Sequence, residues 1–285
     1  MTRSDVLITA DQLLARLDTD SPPRLLDVRW TLPKPDGRDD FAAGHIPGAI
    51  YVDLDTELAC SGGAASGEGD AVDPTAGRHP LPSPEQFQEQ VRRWGIDALT
   101  DVVVYDDNSS LGAARAWWLL RWAGLSARVL DGGLAAYVAA GGALEKGDGP
   151  SVEPSTVTIN PGSLPVIDAD EAAAFEGVLL DARAGERFRG ETEPLDAKAG
   201  HIPGARNAPA TDNTDNGRFL DEESLRARFA GLGALDQPVG VYCGSGVTAC
   251  HNALALASLG VESSLYPASW SGWSSDPNRP VETGE

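Results

Sequence analysis

Apolar positions along this chain fall into two kinds of segment. The first kind is a short unbroken run: Leu25-Leu26, Val102-Val103-Val104-Tyr105, Val178-Leu179-Leu180 and Val239-Gly240-Val241-Tyr242. Each ends abruptly at a polar residue or at Cys243. Runs this short, without helical spacing, read as strands buried on both faces. They place strands over Arg24 to Val28, Val178 to Ala182 and the two Tyr-ended runs, with later ones at Arg128 to Leu130 and Ser264 to Tyr266. The second kind carries helical spacing and start signals. Thr9-Ala10-Asp11-Gln12 is a capping box before Leu13, Leu14 and Leu17, and Asp168-Ala169-Asp170-Glu171 is another before Ala172, Ala173 and Phe175. Ser83-Pro84-Glu85-Gln86 opens a helix that Gly95 ends, and Asp221 to Ala230 ends at Gly231. Two more helices, Ala113 to Trp122 and Val247 to Leu259, follow the Tyr-ended strands. Strands alternating with helices predict an α/β fold, a parallel sheet with helices on both faces.

The pattern occurs twice. Leu25-Leu26-Asp27-Val28-Arg29 is echoed by Leu179-Leu180-Asp181-Ala182-Arg183, and Gly44-His45-Ile46-Pro47-Gly48-Ala49 recurs unchanged as Gly200-His201-Ile202-Pro203-Gly204-Ala205. Copies of this size are whole domains rather than solenoid units. The first is expected over 1–145 and the second over 164–285. Residues 146–163, rich in Gly, Pro, Ser and Glu, are expected to link them. A Gly/Ser-rich insertion at 61–69 is confined to the first copy.

Composition narrows the function classes. The 285 residues carry a formal net charge of −21, so a nucleic-acid surface, which needs clustered Lys and Arg, is not expected. An anionic ligand would need a local patch of arginine and backbone N–H. No apolar stretch approaches the roughly 18 residues of a membrane span, and the first residues lack the apolar core of a signal peptide. The expectation is a cytoplasmic protein without membrane partners. Cys60, Cys243 and Cys250 suit a reducing compartment. The four histidines do not cluster at metal-ligand spacing, so no metal is expected.

The copies differ in chemistry at one place. Cys243 follows the strand that ends at Tyr242, and Gly244 and Gly246 follow it before a helix begins. A strand, a tight loop and a helix start aim successive N–H groups at one point and favour thiolate there. Aligning Tyr105 with Tyr242 puts Asp106 where Cys243 stands, and the first loop, Asp106-Asp107-Asn108-Ser109-Ser110, has no thiol. The second domain is therefore expected to be catalytic and the first supporting, with the site at the carboxyl ends of the strands.

Cys243-Gly244-Ser245-Gly246-Val247-Thr248-Ala249, the paired Gly-His-Ile-Pro-Gly-Ala loops, the Asp131-Gly132-Gly133 turn and the Ser269-Trp270-Ser271-Gly272-Trp273 turn resemble the two-domain rhodanese-type sulfurtransferases, and within them the mercaptopyruvate branch. The resemblance covers nearly the whole chain and implies two tandem rhodanese-like domains. It implies transfer of a sulfane sulfur from a small anionic donor through a Cys243 persulfide to cyanide or a thiol, such as a small thiol or a thioredoxin-like protein. No cofactor is implied. Backbone N–H groups of Gly244, Ser245, Gly246, Val247, Thr248 and Ala249 would stabilise the sulfur anions. Arg187 would bind the donor carboxylate. A second arginine of that branch is absent here, where Leu195 and Asp196 stand with Lys198 nearby. Ser245, His45 and Asp39 match a Ser/His/Asp proton relay, although His201 in the twin motif offers a turn-stabilising reading of His45. Three alternatives remain. Thiosulfate is a second donor for the same site. A Cys-x5-Arg phosphatase would need arginine where Ala249 stands. A non-catalytic sulfur carrier would not need the intact loop. Cys250, Trp117, Trp118 and Trp122 read as core.

Overall fold

The computed structural model describes residues 1–60 and 73–285; the insertion at 61–69 lies outside them. In the first half, five strands form one sheet: β1 (Leu7–Ile8), β2 (Arg24–Asp27), β3 (Ala49–Tyr51), β4 (Val102–Tyr105) and β5 (Ala127–Leu130), in the order β1-β5-β4-β2-β3. In the second half, β6 (Val178–Asp181), β7 (Arg206–Asn207), β10 (Val239–Tyr242) and β11 (Ser264–Leu265) form another, ordered β11-β10-β6-β7. All pairings within both sheets are parallel. Between β7 and β10, β8 (Thr214–Asp215) and β9 (Arg218–Phe219) make a hairpin. Its turn is Asn216-Gly217, both at positive φ, as a two-residue hairpin turn requires.

The central register is the same in both sheets. Arg24 to Asp27 pair with Val102 to Tyr105, and Val178 to Asp181 pair with Val239 to Tyr242. Asp106 and Cys243 therefore leave equivalent strand ends.

Successive strand residues face opposite ways. Leu26, Val104, Leu180 and Val241 share one core with the helices Ala113–Trp122 and Ala249–Ser258. Leu25 and Val103 pack outward with Leu13 and Phe41, and Leu179 and Tyr242 with Trp270 and Trp273. One face of each sheet thus joins a core common to both halves. That explains two helices with no polar face: Ala249–Ser258 is buried at every position, and Ala113–Trp122 at all but Arg121. Burying a large apolar side chain contributes about 1.5–3 kcal/mol, so the packing of these two helices against each other in the common core holds the halves together.

The stretch expected to link the domains lies along the first one. Val157 and Ile159 are buried, Arg92 Nε donates to Val157 O at 2.8 Å, and Asn160 N donates to Ala123 O at 2.9 Å.

The duplicated Gly-His-Ile-Pro-Gly-Ala loops are built alike. His45 stacks on Phe41 at 3.8 Å and its Nδ1 lies 2.9 Å from Phe41 O; His201 stacks on Phe188 at 3.7 Å and its Nδ1 lies 2.8 Å from Phe188 O. The Tyr105 and Tyr242 hydroxyls accept from Ile46 N and Ile202 N. Glu145 and Glu282 close the loops by backbone pairing with the histidines.

Candidate active site

Cys243 stands at the carboxyl edge of the second sheet, about 1% exposed. The chain turns back at Gly246, where φ is +80° and a β-carbon would lie 2.4 Å from Pro267 O. Only glycine fits such a turn. The turn brings the Gly246 N–H to Cys243 Sγ at 3.1 Å. The tryptophan turn fixes the other side of the loop. Cys243 N donates to Ser269 Oγ at 3.1 Å, while Trp270 N and Ser271 N donate to the carbonyls of Cys243 and Gly244 at 2.9 and 2.8 Å. Val247 and Thr248 line the cleft above Cys243, and Ala249 is buried at the start of the following helix. Cys250 faces inward, and burial pushes its thiol up to about 12.

Arg115 reaches under this loop from the first domain and is fully buried. It donates to Gly246 O at 3.1 Å, to His79 O at 3.1 Å and to Leu58 O at 3.1 and 3.2 Å. These partners are carbonyls, and it pairs with no carboxylate among the described residues. It ties the Cys243 loop to the segment carrying His79 and places positive charge beneath it.

That segment, Gly77-Arg78-His79, docks on the tryptophan turn. Gly77 takes φ +83°, a β-carbon there would lie 2.5 Å from Ala268 O, and Arg78 N donates to Ser271 Oγ at 3.1 Å. His79 Nδ1 then lies 2.8 Å from Ser245 Oγ, and His79 Nε2 lies 3.2 Å from Asp55 Oδ1. An ionised carboxylate only accepts, so Nε2 carries a proton toward Asp55, and in the neutral ring Nδ1 accepts from the Ser245 hydroxyl. The hydrogen bond from His79 holds the Asp55 carboxyl below its usual range. Trp30 Nε1 donates to the same Asp55 oxygen at 3.0 Å, and the Trp30 ring meets His79 edge-on at 5.7 Å.

Above the loop is a cleft of about 450 Å³, lined by Trp30, Leu111, Arg78, Arg187, Cys243 and Ser245 among others. Arg187 donates to Glu193 at 2.7 Å and to Asp196 at 3.0 Å. Arg78 pairs with the other oxygen of Asp196. Burial raises the Asp196 carboxyl above its usual range, with Arg78 opposing the shift. Glu193 also pairs with Arg183 at 3.3 Å, and Arg183 lies 4.5 Å over the Trp270 ring.

A family model of the rhodanese-like domain matches residues 9–140 and again 164–276. The chain belongs to the rhodanese family. A Mycobacterium tuberculosis protein provisionally named thiosulfate sulfurtransferase SseB is 46% identical over 99% of this chain and 98% of its own length. A Pseudomonas aeruginosa protein provisionally named 3-mercaptopyruvate sulfurtransferase is also 46% identical, over 98% of each chain. The crystal structure of SseA from Escherichia coli, described with the rhodanese fold and catalytic mechanism of 3-mercaptopyruvate sulfotransferases, superposes with a TM-score of 0.78. It is 31% identical, over 95% of this chain and 99% of that one.

The rhodanese fold brings Cys243, Ser245, Gly244, Gly246, Val247, Thr248 and Arg187 to one cleft or its floor. Two expected relay residues lie elsewhere. His45 is fully buried in its loop, stacked on Phe41 and backbone-paired with Glu145, as His201 is with Glu282. Repetition of the arrangement in both halves marks it as a turn support. Asp39 is exposed on the helix Arg38–Ala43 and joins no relay. His79 and Asp55 take those places. A signal for His79 existed: the histidine of a site present in one copy should have no twin, and the twinned pair is His45 and His201. Lys198 does not supply a second cation, since its Nζ donates to Asp276 O and Arg279 O at 2.7 and 3.1 Å. The cation beside Asp196 is Arg78. Among the described residues no cluster of His, Cys, Asp or Glu could hold a metal ion, and no helix is long and apolar enough to cross a membrane.

Proposed function

We propose that this two-domain rhodanese-family sulfurtransferase takes its sulfur from 3-mercaptopyruvate and passes it, through a persulfide on Cys243, to a thiol. The observation that carries the reading is the chain of contacts beside Cys243 that runs from Ser245 to His79 and from His79 to Asp55. The Cys243 thiolate attacks the donor sulfur. The carbon–sulfur bond breaks, its electron pair leaves as the enolate of pyruvate, and the proton of the donor thiol moves to that enolate carbon. A Ser–His–Asp relay suits this proton movement. Thiosulfate, the second donor, releases sulfite, a stable anion that needs no proton, so the relay favours a carbon leaving group. The Gly246 N–H, 3.1 Å from Sγ, supports the sulfur anion. In the second half-reaction an acceptor thiolate attacks the outer sulfur, forms its own persulfide and returns Cys243 to thiolate.

The acceptor is read as a small thiol or a thioredoxin-like protein. With three free cysteines, the reading takes the reducing cytoplasm as the setting. Intact-mass measurement after incubation with each donor tests the function. A gain of one sulfur mapping to Cys243, with a higher kcat/KM for 3-mercaptopyruvate than for thiosulfate, is expected. A higher kcat/KM for thiosulfate overturns the donor assignment, and a persulfide mapping elsewhere overturns the nucleophile.

A further inference from the structure

Two guanidinium ends in the cleft have no partner among the described residues. Arg187 donates from Nε and Nη2 to Glu193 and from Nη2 to Asp196, which leaves Nη1. Arg78 donates from Nη1 to Asp196, which leaves Nη2. Its Nε is also buried without a hydrogen-bond partner. The two remaining ends face one point. A β-carbon built on Gly244 would lie 3.3 Å from Arg78 Nη2 and 3.4 Å from Arg187 Nη1. Gly244 has no side chain to fill that point, and it adjoins Cys243.

The two arginines come from different domains and are braced by one carboxylate. Asp196 Oδ1 pairs with Arg78, and Asp196 Oδ2 accepts from Arg187 at 3.0 Å. The Asp196 side chain is only 3% exposed, so the brace is fixed. Glu193, 4% exposed, holds Arg187 from a third direction. Planar forks held this way bind a carboxylate with directed, charge-assisted hydrogen bonds.

Resting on the reading of a carboxylate-bearing donor, we propose that Arg78 Nη2 and Arg187 Nη1 together receive that carboxylate over Gly244, with Asp196 as the positioning residue behind them. Neither domain then holds the donor alone. The first supplies one fork with His79 and Asp55 of the relay, and the second supplies the other fork, Ser245 and the sulfur acceptor.

Alkylation of Cys243 tests the receptor without any donor. Iodoacetate carries a carboxylate, and iodoacetamide is its neutral counterpart. In Arg78→Gln, and likewise in Arg187→Gln, the iodoacetate rate is expected to fall about ten-fold while the iodoacetamide rate stays within about two-fold. Arg78→Lys, which keeps the charge but not the fork, falls between. The iodoacetamide rate also reports an intact loop. An unchanged ratio in Arg78→Gln, or an equal loss with both reagents, overturns the receptor and leaves the proposed reaction standing. For 3-mercaptopyruvate, KM in Arg78→Gln should rise about ten-fold with kcat within about three-fold. A lowered alkylation ratio with an unmoved KM keeps the receptor and overturns the donor assignment.

Discussion

After β4 the chain enters a loop around Asp106, and after β10 it enters one around Cys243. Both loops leave the centre of a parallel sheet, and both turn backbone N–H groups toward the residue at the pivot. In the first loop the pivot is a fully buried carboxylate that accepts from the N–H groups of Asn108, Ser110, Gly112 and Ala113 at 2.9–3.0 Å. Burial raises the Asp106 carboxyl, and the N–H groups of Ala113, Asn108 and Ser110 oppose the shift. In the second loop the pivot is a thiol with one N–H within reach. One fold thus makes a strand-end loop twice, with four N–H groups on the carboxylate in the first copy and one on Sγ in the second. The first copy fills it with its own side chain and becomes rigid. The second leaves its donor to a sulfur, which in the proposed reaction changes charge and partner. On that proposal, the difference between support and catalysis lies in which atom ends the strand.

The comparison can be broken most directly at the pivots. Cys243→Ser should lower sulfur transfer at least about a thousand-fold with folding unchanged, since the hydroxyl cannot carry the persulfide; steady-state assay and thermal melting check both parts. At the other pivot, Asp106→Ala should leave four buried N–H groups unpaired and cost about 4 kcal/mol of stability. Cys243→Ala should cost under about 2 kcal/mol, because one weak contact and little volume are lost. Urea unfolding of both variants decides whether the first loop is the structural one.

A smaller effect separates the duplicated histidines from the single one. His79→Gln should lower kcat for 3-mercaptopyruvate about a hundred-fold, whereas His45→Gln should leave kcat within about two-fold and lower the melting temperature. Equal losses of kcat in the two variants would remove the distinction drawn between relay and turn support.

The smallest effect concerns the tie between the loops. His251, on the helix after the Cys243 loop, places Nε2 3.0 Å from Ser109 O in the Asp106 loop, and its Nδ1 lies 3.2 Å from Asn213 Nδ2. Burial lowers this histidine from 6.5 to about 4. The unfolded chain therefore takes up a proton near pH 6.5 that the folded chain refuses until about pH 4. The stability involved is fully present above pH 6.5 and is lost as pH falls through that window, by about 1.4 kcal/mol per unit and about 3 kcal/mol in all. His251→Gln should flatten that part of the stability profile between pH 7 and 4.5, measured by urea unfolding.

Much of this was legible in the residues. The strands and helices could be read because the apolar runs and capping boxes are local signals, and because each occurs twice. Cys243 stood out against Asp106 through the same duplication. Helix ends moved by a residue or two: the helix expected from Val247 begins at Ala249, because Gly246 and the residues after it complete the turn under Sγ. The histidine that reaches Ser245 is His79, not the His45 that the repeated motif points to. His45 sits in a conspicuous repeated motif, while His79 lies in Gly77-Arg78-His79-Pro80, a segment with no periodicity and no twin. No second arginine stands beside Leu195 along the chain, and Arg78 reaches Asp196 from the other domain.

By itself the sequence determined the two-domain α/β plan, the register that puts Cys243 at a strand end, and the glycine its loop needs, because these depend on residues near one another in the chain. Only the tertiary structure decided which histidine, carboxylate and second arginine lie beside the Cys243 loop. Those groups are carried to Cys243 by the docking of Gly77 on the tryptophan turn and by Arg115 beneath the loop. That docking arises from a core shared by two domains, and no local pattern encodes which loop of one domain will lie against a given loop of the other.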